Sequence, residues 1–201
     1  MAETLWCALE LASLHAEPDE SSERVTQALR GEPLLVEERR DGWALVRTAY
    51  DYPGWVVVEA LSPAPSGSWL PEPRDGDPVA EAHAYLGAPY LWGGMSEGGI
   101  DCSGLVHMAY RRLGRLVPRD ADQQEEAAER VAEARYGDLV TYGREHATHI
   151  AFWLGEGLIL HAPGGRTVAE EAEPVTLERS RRHFVRLPPA RLPRAGVARL
   201  S

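Results

Sequence analysis

The residues of this chain best suited to chemistry are one cysteine and two histidines. Cys102 lies in the segment Asp101-Cys102-Ser103-Gly104, directly before an apolar run with helical spacing. This pattern predicts its thiol in the first turn of a helix, where unpaired backbone N–H groups and the helix dipole favour the thiolate. A thiolate is a nucleophile, so the position predicts attack on a carbonyl carbon. The alternative is an inert cysteine that packs as a small hydrophobe.

His149 and His161 belong to two strand-like runs separated by Gly155-Glu156-Gly157. If those three residues form a hairpin loop, Leu154 pairs with Leu158. The two histidines then share one sheet face, one diagonal step and about 7–8 Å apart between Cα atoms. One imidazole could act as a base and the other could orient it. A loop of even length would place them on opposite faces, and each could instead be a polar residue satisfied by its own hydrogen bonds.

The elements predicted to position these side chains are a group of helices followed by a sheet. Leu105, Val106, Ala109 and Leu113 share one face at helical spacing and predict a helix over 102–113, which Gly114 ends. Further helices are predicted at 79–86 and 123–134, and strands at 138–142, 149–154, 158–162 and 183–187. Helices followed by an antiparallel sheet form an α+β architecture.

The first part of the chain has a different pattern, typical of a small all-β barrel. Short β-branched runs at 7–11, 25–29, 34–36, 43–46 and 54–58 alternate with glycine, proline and aspartate turns. A run rich in proline and serine follows and indicates a linker. We therefore predict a barrel over 1–65, a linker over 66–77, a second domain over 78–187 and a tail over 188–201.

Composition excludes several classes of function. The 201 residues are 44% hydrophobic and 26% charged, as in ordinary globular proteins. A balance of 21 basic against 31 acidic residues gives a net charge of −10, which disfavours nucleic acid and anionic membranes as partners. The chain contains neither lysine nor asparagine. This excludes a Schiff-base lysine, a phosphate-loop lysine and a Cys-His-Asn triad.

The spacing of the two cysteines bears on the redox state of the protein, and the charge pattern of the first residues bears on its location. Cys7 and Cys102 form no CxxC pair, so we expect no metal site and no cofactor, and nothing in their spacing requires a disulfide. The first basic residue is Arg24, and Glu10 and His15 interrupt the apolar stretch near the start. That pattern is typical of neither a signal peptide nor a membrane span, and a cytoplasmic protein with reduced thiols is expected.

Six ordered motifs resemble the NlpC family of cell-wall cysteine peptidases over about residues 78–187. They are Pro89-Tyr90-Leu91-Trp92-Gly93-Gly94, Asp101-Cys102-Ser103-Gly104-Leu105-Val106, Pro118-Arg119-Asp120-Ala121-Asp122-Gln123-Gln124, Gly137-Asp138-Leu139-Val140, His149-Ile150-Ala151 and Leu160-His161-Ala162-Pro163. The resemblance implies a minimal papain-like cysteine peptidase domain in which a second histidine replaces asparagine. It also implies that Cys102 is the nucleophile, His149 the general base and acid, and His161 the residue that orients His149.

The resemblance also implies substrate-binding residues in the second domain. Tyr90 corresponds to a family tyrosine that lines the cleft near the cysteine. Asp101 and Ser103, which flank the nucleophile, correspond to residues that bind the amino-terminal side of the substrate. Asp122 lies where the most similar relatives have a serine, and an added carboxylate there would suit an ammonium group.

The first domain resembles bacterial Src-homology-3-like barrels through the segments 26–32, 42–46 and 52–56. The combination of this barrel with the peptidase motifs resembles γ-D-glutamyl-L-diamino acid endopeptidases, in which the barrel restricts the cleft to muropeptides with a free N-terminal L-Ala. A buried ammonium group needs carboxylates around it. The resemblance assigns this role to Asp101, with Glu32 and Tyr52 contributed by the barrel.

The expected substrate is therefore a murein stem peptide, L-Ala-γ-D-Glu-diamino acid, cleaved before the diamino acid during cell-wall peptide recycling. Two alternatives remain open at this stage. One is an amidase or acyltransferase on the same fold, and the other is a non-catalytic cell-wall binding module.

Overall fold

The computed structural model describes residues 3–178 and 181–188, in two units that divide between Pro71 and Glu72. This division falls inside the predicted linker at 66–77. All but the first residue of the predicted tail at 188–201 lies outside the described residues, and the predicted domain boundaries stay a prediction.

The first unit is a seven-stranded antiparallel sheet with the strand order β3-β2-β6-β5-β4-β1-β7. The strands are β1 (Glu3–Cys7), β2 (Leu11–His15), β3 (Arg24–Leu29), β4 (Pro33–Arg40), β5 (Trp43–Arg47), β6 (Pro53–Val57) and β7 (Leu61–Ser62). Its core contains the fully buried Leu14, Leu34, Val46 and Val56. The predicted strand over 7–11 is wrong. Cys7 ends β1 and Leu11 begins β2, because Ala8 leaves the strand and donates its backbone N–H to Ala60.

The described residues of the second unit include four short α-helices, of which α2 is the longest. They are α1 (Pro78–Ala82), α2 (Cys102–Arg112), α3 (Ala121–Ala127) and α4 (Val175–Glu178). The side chain of Asp101 caps α2 by accepting the N–H of Gly104, and Gly114 follows the helix with φ of 72°. The helix predicted from Cys102 is thus confirmed, and its end differs from the prediction by one residue.

Helix α3 corrects the prediction of a helix over 123–134. It begins earlier, after Asp120, and it ends at Ala127. The next residues, Glu129–Arg130, form strand β10 and pair with Arg186 and Val185. The alanine- and glutamate-rich sequence has high helix propensity, but hydrogen bonds to a strand more than fifty residues away outweigh that weak local preference.

The main sheet of this unit is antiparallel and six-stranded, with the order β10-β15-β11-β12-β13-β14. Besides β10, its strands are β11 (Leu139–Gly143), β12 (Ala147–Gly155), β13 (Leu158–His161), β14 (Ala169–Ala172) and β15 (Arg181–Arg186), while β8 (Met95–Ser96) and β9 (Gly99–Ile100) form a separate hairpin. Four of these strands confirm the predicted ones, and β14 was not predicted. None of the helices described here is long and apolar enough to cross a membrane.

The hairpin between β12 and β13 places the histidines as predicted, but through a different turn. Its loop has two residues, Glu156 and Gly157, with φ of 51° and 78°, which suits a tight turn between antiparallel strands. Gly155, and not Leu154, pairs with Leu158, and a bulge then shifts the register by one residue. The predicted three-residue loop is therefore wrong. The two-residue loop alone would place His149 and His161 on opposite faces of the sheet. The bulge shifts the register by one more residue and returns them to the same face.

Candidate active site

Cys102 is the first residue of α2 and lies almost fully buried, with 7% of its surface exposed. Burial raises the pKa of its thiol to about 12, and the Asp101 carboxylate adds to this increase. Backbone hydrogen bonds from Ile150 and Ser103 act in the opposite direction. The position in the first turn is as predicted, but the thiolate is not favoured there, because desolvation of the charged sulfur outweighs the contribution of the helix terminus.

The raised pKa predicts how Cys102 reacts with iodoacetamide. Below the pKa of a thiol, the thiolate fraction grows about tenfold per pH unit, and only the thiolate reacts. We expect the alkylation rate of Cys102 to keep rising from pH 7 to pH 10, measured by mass spectrometry of the peptide that contains it. The peptide with Cys7 serves as an internal reference. A rate that levels off below pH 7 would instead indicate a preformed thiolate–imidazolium pair.

His149 and His161 contact each other directly. Nε2 of His149 lies 2.8 Å from Nδ1 of His161, and the ring centroids are 5.0 Å apart at an interplanar angle of 78°. Burial lowers the pKa of His149 to about 3, with a further decrease from the neighbouring His161. Burial also lowers the pKa of His161. Both rings are therefore neutral at pH 7, so each has one nitrogen that donates and one that accepts.

The thiol and the histidine pair meet where α2 reaches strand β12. The backbone hydrogen bond to the Cys102 sulfur comes from Ile150, the residue directly after His149. Tyr142, on the neighbouring strand β11, pairs with His149 in register and lies with its ring centroid 6.0 Å from that of His149. The structure thus brings together the three residues that the sequence predicted as a catalytic set.

Glu171 extends the histidine pair by one further hydrogen bond, which sequence analysis did not predict. Its Oε1 lies 2.8 Å from Nε2 of His161, and Arg166 donates to both of its carboxylate oxygens. The bonds to Arg166 lower the pKa of Glu171 to about 2. The two histidines and Glu171 follow one another in a row, and within residues 3–178 and 181–188 no group of His, Cys, Asp or Glu converges to hold a metal ion.

Asp101, which the resemblance predicts to bind a substrate ammonium, forms a buried ion pair with Arg119. Arg119 donates to both oxygens, at 3.0 and 2.7 Å, and both side chains are buried. The backbone N–H groups of Gly93 and Gly104 donate to the same carboxylate at 2.8 and 2.6 Å. These bonds hold the start of α2 in place. The predicted part of Asp101 in substrate binding stays a prediction.

The glycines in and just before α2 lie very close to neighbouring backbone carbonyl groups. A Cβ atom at Gly94 would lie 2.4 Å from the carbonyl oxygen of Gly99, and one at Gly104 would lie 2.5 Å from that of Gly94. These distances are far below any normal carbon–oxygen contact, so both positions require glycine. The carbonyl oxygen of Gly94 thus packs directly against Gly104 in the first turn of α2.

The other predicted binding residues of this unit differ in exposure. Tyr90 is half-buried, and burial raises the pKa of its hydroxyl to about 12 with a contribution from Cys102, which places it near the thiol as predicted. Ser103 is buried, donates its hydroxyl to Asp101 and accepts from Arg119. Asp122 is exposed in the first turn of α3, and its carboxylate accepts the N–H of Gln123.

The two predicted barrel residues belong to the first unit. Glu32 is fully buried and accepts the backbone N–H of Leu29 at 3.1 Å. Tyr52 is half-buried, and its backbone N–H donates to the hydroxyl of Thr48. Their predicted part in substrate binding stays a prediction.

Three structural residues were not assigned a role from the sequence. Arg119 and Gln124 lie within the quoted motif at 118–124, and a buried arginine beside an acidic cap could have been inferred from it. Gln124 is fully buried and donates its amide to the carbonyl oxygens of Ser103 and Pro118, which ties α3 to α2. Glu171 lies in an acidic run. Neighbouring residues of a strand point to opposite faces of the sheet, so the only available signal was that Glu170 or Glu171 would face inward if this run formed a strand.

Comparison with known proteins identifies both parts of the chain. Residues 87–185 match the NlpC/P60 family, which includes the thiol and the histidine pair. Residues 87–185 therefore form an NlpC/P60 domain. Residues 14–61 match the bacterial dipeptidyl-peptidase Sh3 domain, so a bacterial SH3 domain precedes the NlpC/P60 domain.

Individual relatives cover only parts of this chain. It is 33% identical to the gamma-D-glutamyl-L-lysine dipeptidyl-peptidase of Bacillus cereus over 100 residues, which are 47% of this chain and 30% of the relative. The enzyme of the same name from Bacillus subtilis is 38% identical over 85 residues, 39% of this chain and 29% of the relative. Peptidoglycan endopeptidase RipB of Mycobacterium tuberculosis is 39% identical over 101 residues, 43% and 42% of the two chains. The chain thus spans less than half the length of these relatives.

Two solved structures share the fold. An NlpC/P60 family protein from Bacillus cereus has a TM-score of 0.54 at 24% identity, over 93% of this chain and 64% of that one. RipB from Mycobacterium tuberculosis has a TM-score of 0.50 at 31% identity, over 55% of this chain and 63% of that one.

Proposed function

We propose that this protein is a cysteine peptidase of papain-like architecture that hydrolyses the γ-D-Glu–diamino acid bond of murein stem peptides. The observation that carries the proposal is the geometry around α2. A buried thiol at its start receives a backbone hydrogen bond from the residue after His149, and His149 is hydrogen-bonded to His161. A nucleophile, a base and a group that orients the base are the parts that covalent amide hydrolysis requires.

In the proposed first step, the Cys102 thiol transfers its proton to Nδ1 of His149, because Nε2 is bonded to His161. The sulfur attacks the amide carbon, and the carbonyl oxygen becomes an oxyanion. Backbone N–H groups at the start of α2, including that of Cys102, stabilise this charge. His149 then gives the proton to the leaving amine of the diamino acid, the C–N bond breaks and a thioester remains.

In the second step, His149 takes a proton from a water molecule, and the resulting hydroxide attacks the thioester. The C–S bond breaks, the proton on His149 returns to the sulfur, and the peptide leaves with a carboxylic acid that gives its proton to the solvent. The neutral thiol and neutral imidazole of the resting site are both in the form that this cycle needs. With a thiol pKa of about 12, the thiolate exists only during the attack.

The γ-D-Glu–diamino acid bond is proposed on two grounds. Two of the relatives reported above are named gamma-D-glutamyl-L-lysine dipeptidyl-peptidase, and the residues that match the NlpC/P60 family include Cys102, His149 and His161. The bacterial SH3 domain adds the second ground, since it matches the domain of bacterial dipeptidyl-peptidases. Retention of the cysteine and both histidines in one cluster favours catalysis over a binding module.

A free N-terminal L-Ala is the proposed requirement of the substrate. The net charge of −10 favours a substrate with an ammonium group. Asp101 and the exposed Asp122 are the carboxylates of the second unit that are proposed to attract it. Peptides with free amino termini arise when murein is degraded, so we place the reaction in recycling. The cytoplasm suits the reduced thiols of Cys7 and Cys102.

Defined stem peptides test this function. We expect purified protein to cleave L-Ala-γ-D-Glu-diamino acid at the γ-D-Glu bond. We expect acetylation of its N-terminus to lower kcat/KM by about 100-fold or more, because the substrate loses the charge that the carboxylates attract. Mass spectrometry of the products identifies the bond. The matched control is the same peptide acylated on the side chain of the diamino acid, which keeps the terminal ammonium and should be cleaved at a rate closer to that of the free peptide.

Equal cleavage of the free and acetylated peptides would contradict the requirement for a free terminus. Products formed by acyl transfer to an added amine in place of water would favour an acyltransferase on the same fold.

A further inference from the structure

Residues on three neighbouring strands form a hydrogen-bonded row across the main sheet. His149 lies on β12, His161 on β13 and Glu171 on β14. His161 pairs with Ala169 and Glu171 pairs with Ile159, so Glu171 is one diagonal step from His161 on the same sheet face. The row therefore continues beyond the histidine pair to the far edge strand of the sheet.

The direction of the hydrogen bonds in this row follows from the carboxylate at its end. The bonds to Arg166 keep Glu171 ionised, so it can only accept a hydrogen bond. His161 must then carry its proton on Nε2 and accept on Nδ1. His149 must in turn donate from Nε2, which leaves the lone pair on its Nδ1. Only this tautomer can take a proton from the Cys102 thiol.

We propose that Glu171 is a positioning residue which, through His161, holds His149 in the tautomer that accepts the proton of Cys102. The proposal rests on the proposed function for the role of His149 as a base. His161 is 1% exposed at its side chain and Glu171 is 26% exposed, so the bond between them is largely sheltered from water. The negative charge of Glu171 also stabilises the imidazolium that forms during each step, while the cation of Arg166 partly offsets this effect.

Glu170 provides a matched control one residue away. It points to the opposite face of β14 and forms a hydrogen bond with His83, with side chains 46% and 34% exposed. Both glutamates thus contact a histidine, but only Glu171 contacts the row that ends at His149. Glu171→Ala removes the acceptor and the charge, Glu171→Gln removes only the charge, and Glu170→Gln repeats the latter change outside the row.

We expect Glu171→Ala to lower kcat for the stem tripeptide by about 10- to 100-fold with little change in KM, as for other groups that orient a reacting residue indirectly. Glu171→Gln should lose less activity, and Glu170→Gln should match the wild type. Loss of the carboxylate destabilises the protonated forms of the coupled pair His149 and His161. The acidic limb of the pH profile of kcat/KM should therefore shift to lower pH in both Glu171 variants, which a general loss of structure would not produce.

The tautomers are measured directly by ¹H–¹⁵N correlation spectra of ¹⁵N-histidine-labelled protein, without any turnover. In the wild type we expect both rings to be protonated on Nε2, and in Glu171→Ala we expect a mixture of tautomers at His149. Thermal unfolding confirms that each variant is folded. Unchanged tautomers and an unchanged kcat in Glu171→Ala would overturn the proposal. If the wild type cleaves no stem peptide, the proposed function fails, while the spectra still decide whether Glu171 sets the tautomer.

Discussion

Replacement of Cys102 by alanine is expected to lower kcat/KM for L-Ala-γ-D-Glu-diamino acid by on the order of 10⁴-fold or more, because no thioester can form without the sulfur. The side chain is small and almost fully buried, so alanine fills most of its volume and the fold should persist. The measurement is product formation by mass spectrometry at substrate concentrations well below KM. Cys7→Ala makes the same change at the buried thiol of the first unit and should retain activity within about twofold.

His149→Ala tests whether the thiol and imidazole act as one unit. We expect a loss similar to that of Cys102→Ala, and the double variant should be no less active than either single variant, because the effects of residues in one catalytic unit do not add. Additive losses would indicate that His149 contributes through another route. Retained turnover in purified Cys102→Ala would refute the assignment of the nucleophile.

Arg119→Met is expected to lower the free energy of unfolding of the protein by about 3–5 kcal/mol. The change leaves the carboxylate of Asp101 buried without its cation, and removing one partner of a buried ion pair has a cost of this size. Arg119 and Asp101 are 1% and 7% exposed at their side chains, so water cannot replace the lost guanidinium. Urea unfolding at pH 7, followed by circular dichroism, measures the change.

Arg112→Met is the matched control for this prediction. Arg112 donates to Glu81 from a side chain that is 43% exposed, and Arg74 contacts the same glutamate. We expect a decrease of at most about 1 kcal/mol, which is typical of surface ion pairs. Equal decreases in the two variants would show that the Asp101–Arg119 pair does not hold α2 in place. Asp101→Asn combined with Arg119→Met should recover part of the lost stability, since no buried charge then remains.

The location of the candidate site could be predicted from the sequence because its parts are local. Helix α2 follows from the spacing of its apolar residues, from the capping Asp101 and from Gly114 at its end. The strands of His149 and His161 follow from two apolar runs joined by a glycine-containing turn. The prediction that the two histidines share one sheet face assumed a three-residue loop, which is wrong. The histidines still share that face, because the bulge near Gly155 compensates for the shorter turn.

Other features depend on contacts between distant parts of the chain. The helix predicted over 123–134 ends at Ala127, because Glu129 and Arg130 form a strand that pairs with β15. The buried ion pair of Asp101 with Arg119 joins residues 18 positions apart, so local sequence patterns did not predict it. Glu171 could not be assigned, because strand β14 exists only through its pairing with β13.

The amino-acid sequence by itself determined which residues could react and which elements carry them, since residue type, helical periodicity and turn composition are properties of short segments. It excluded lysine- and asparagine-dependent chemistry outright. The tertiary structure decided the protonation of these residues and the partners of the charged ones. Burial of the thiol and imidazoles, the pairing of Arg119 with Asp101 and the row that ends at Glu171 all depend on desolvation and on hydrogen bonds between strands, which arise only when distant segments pack together.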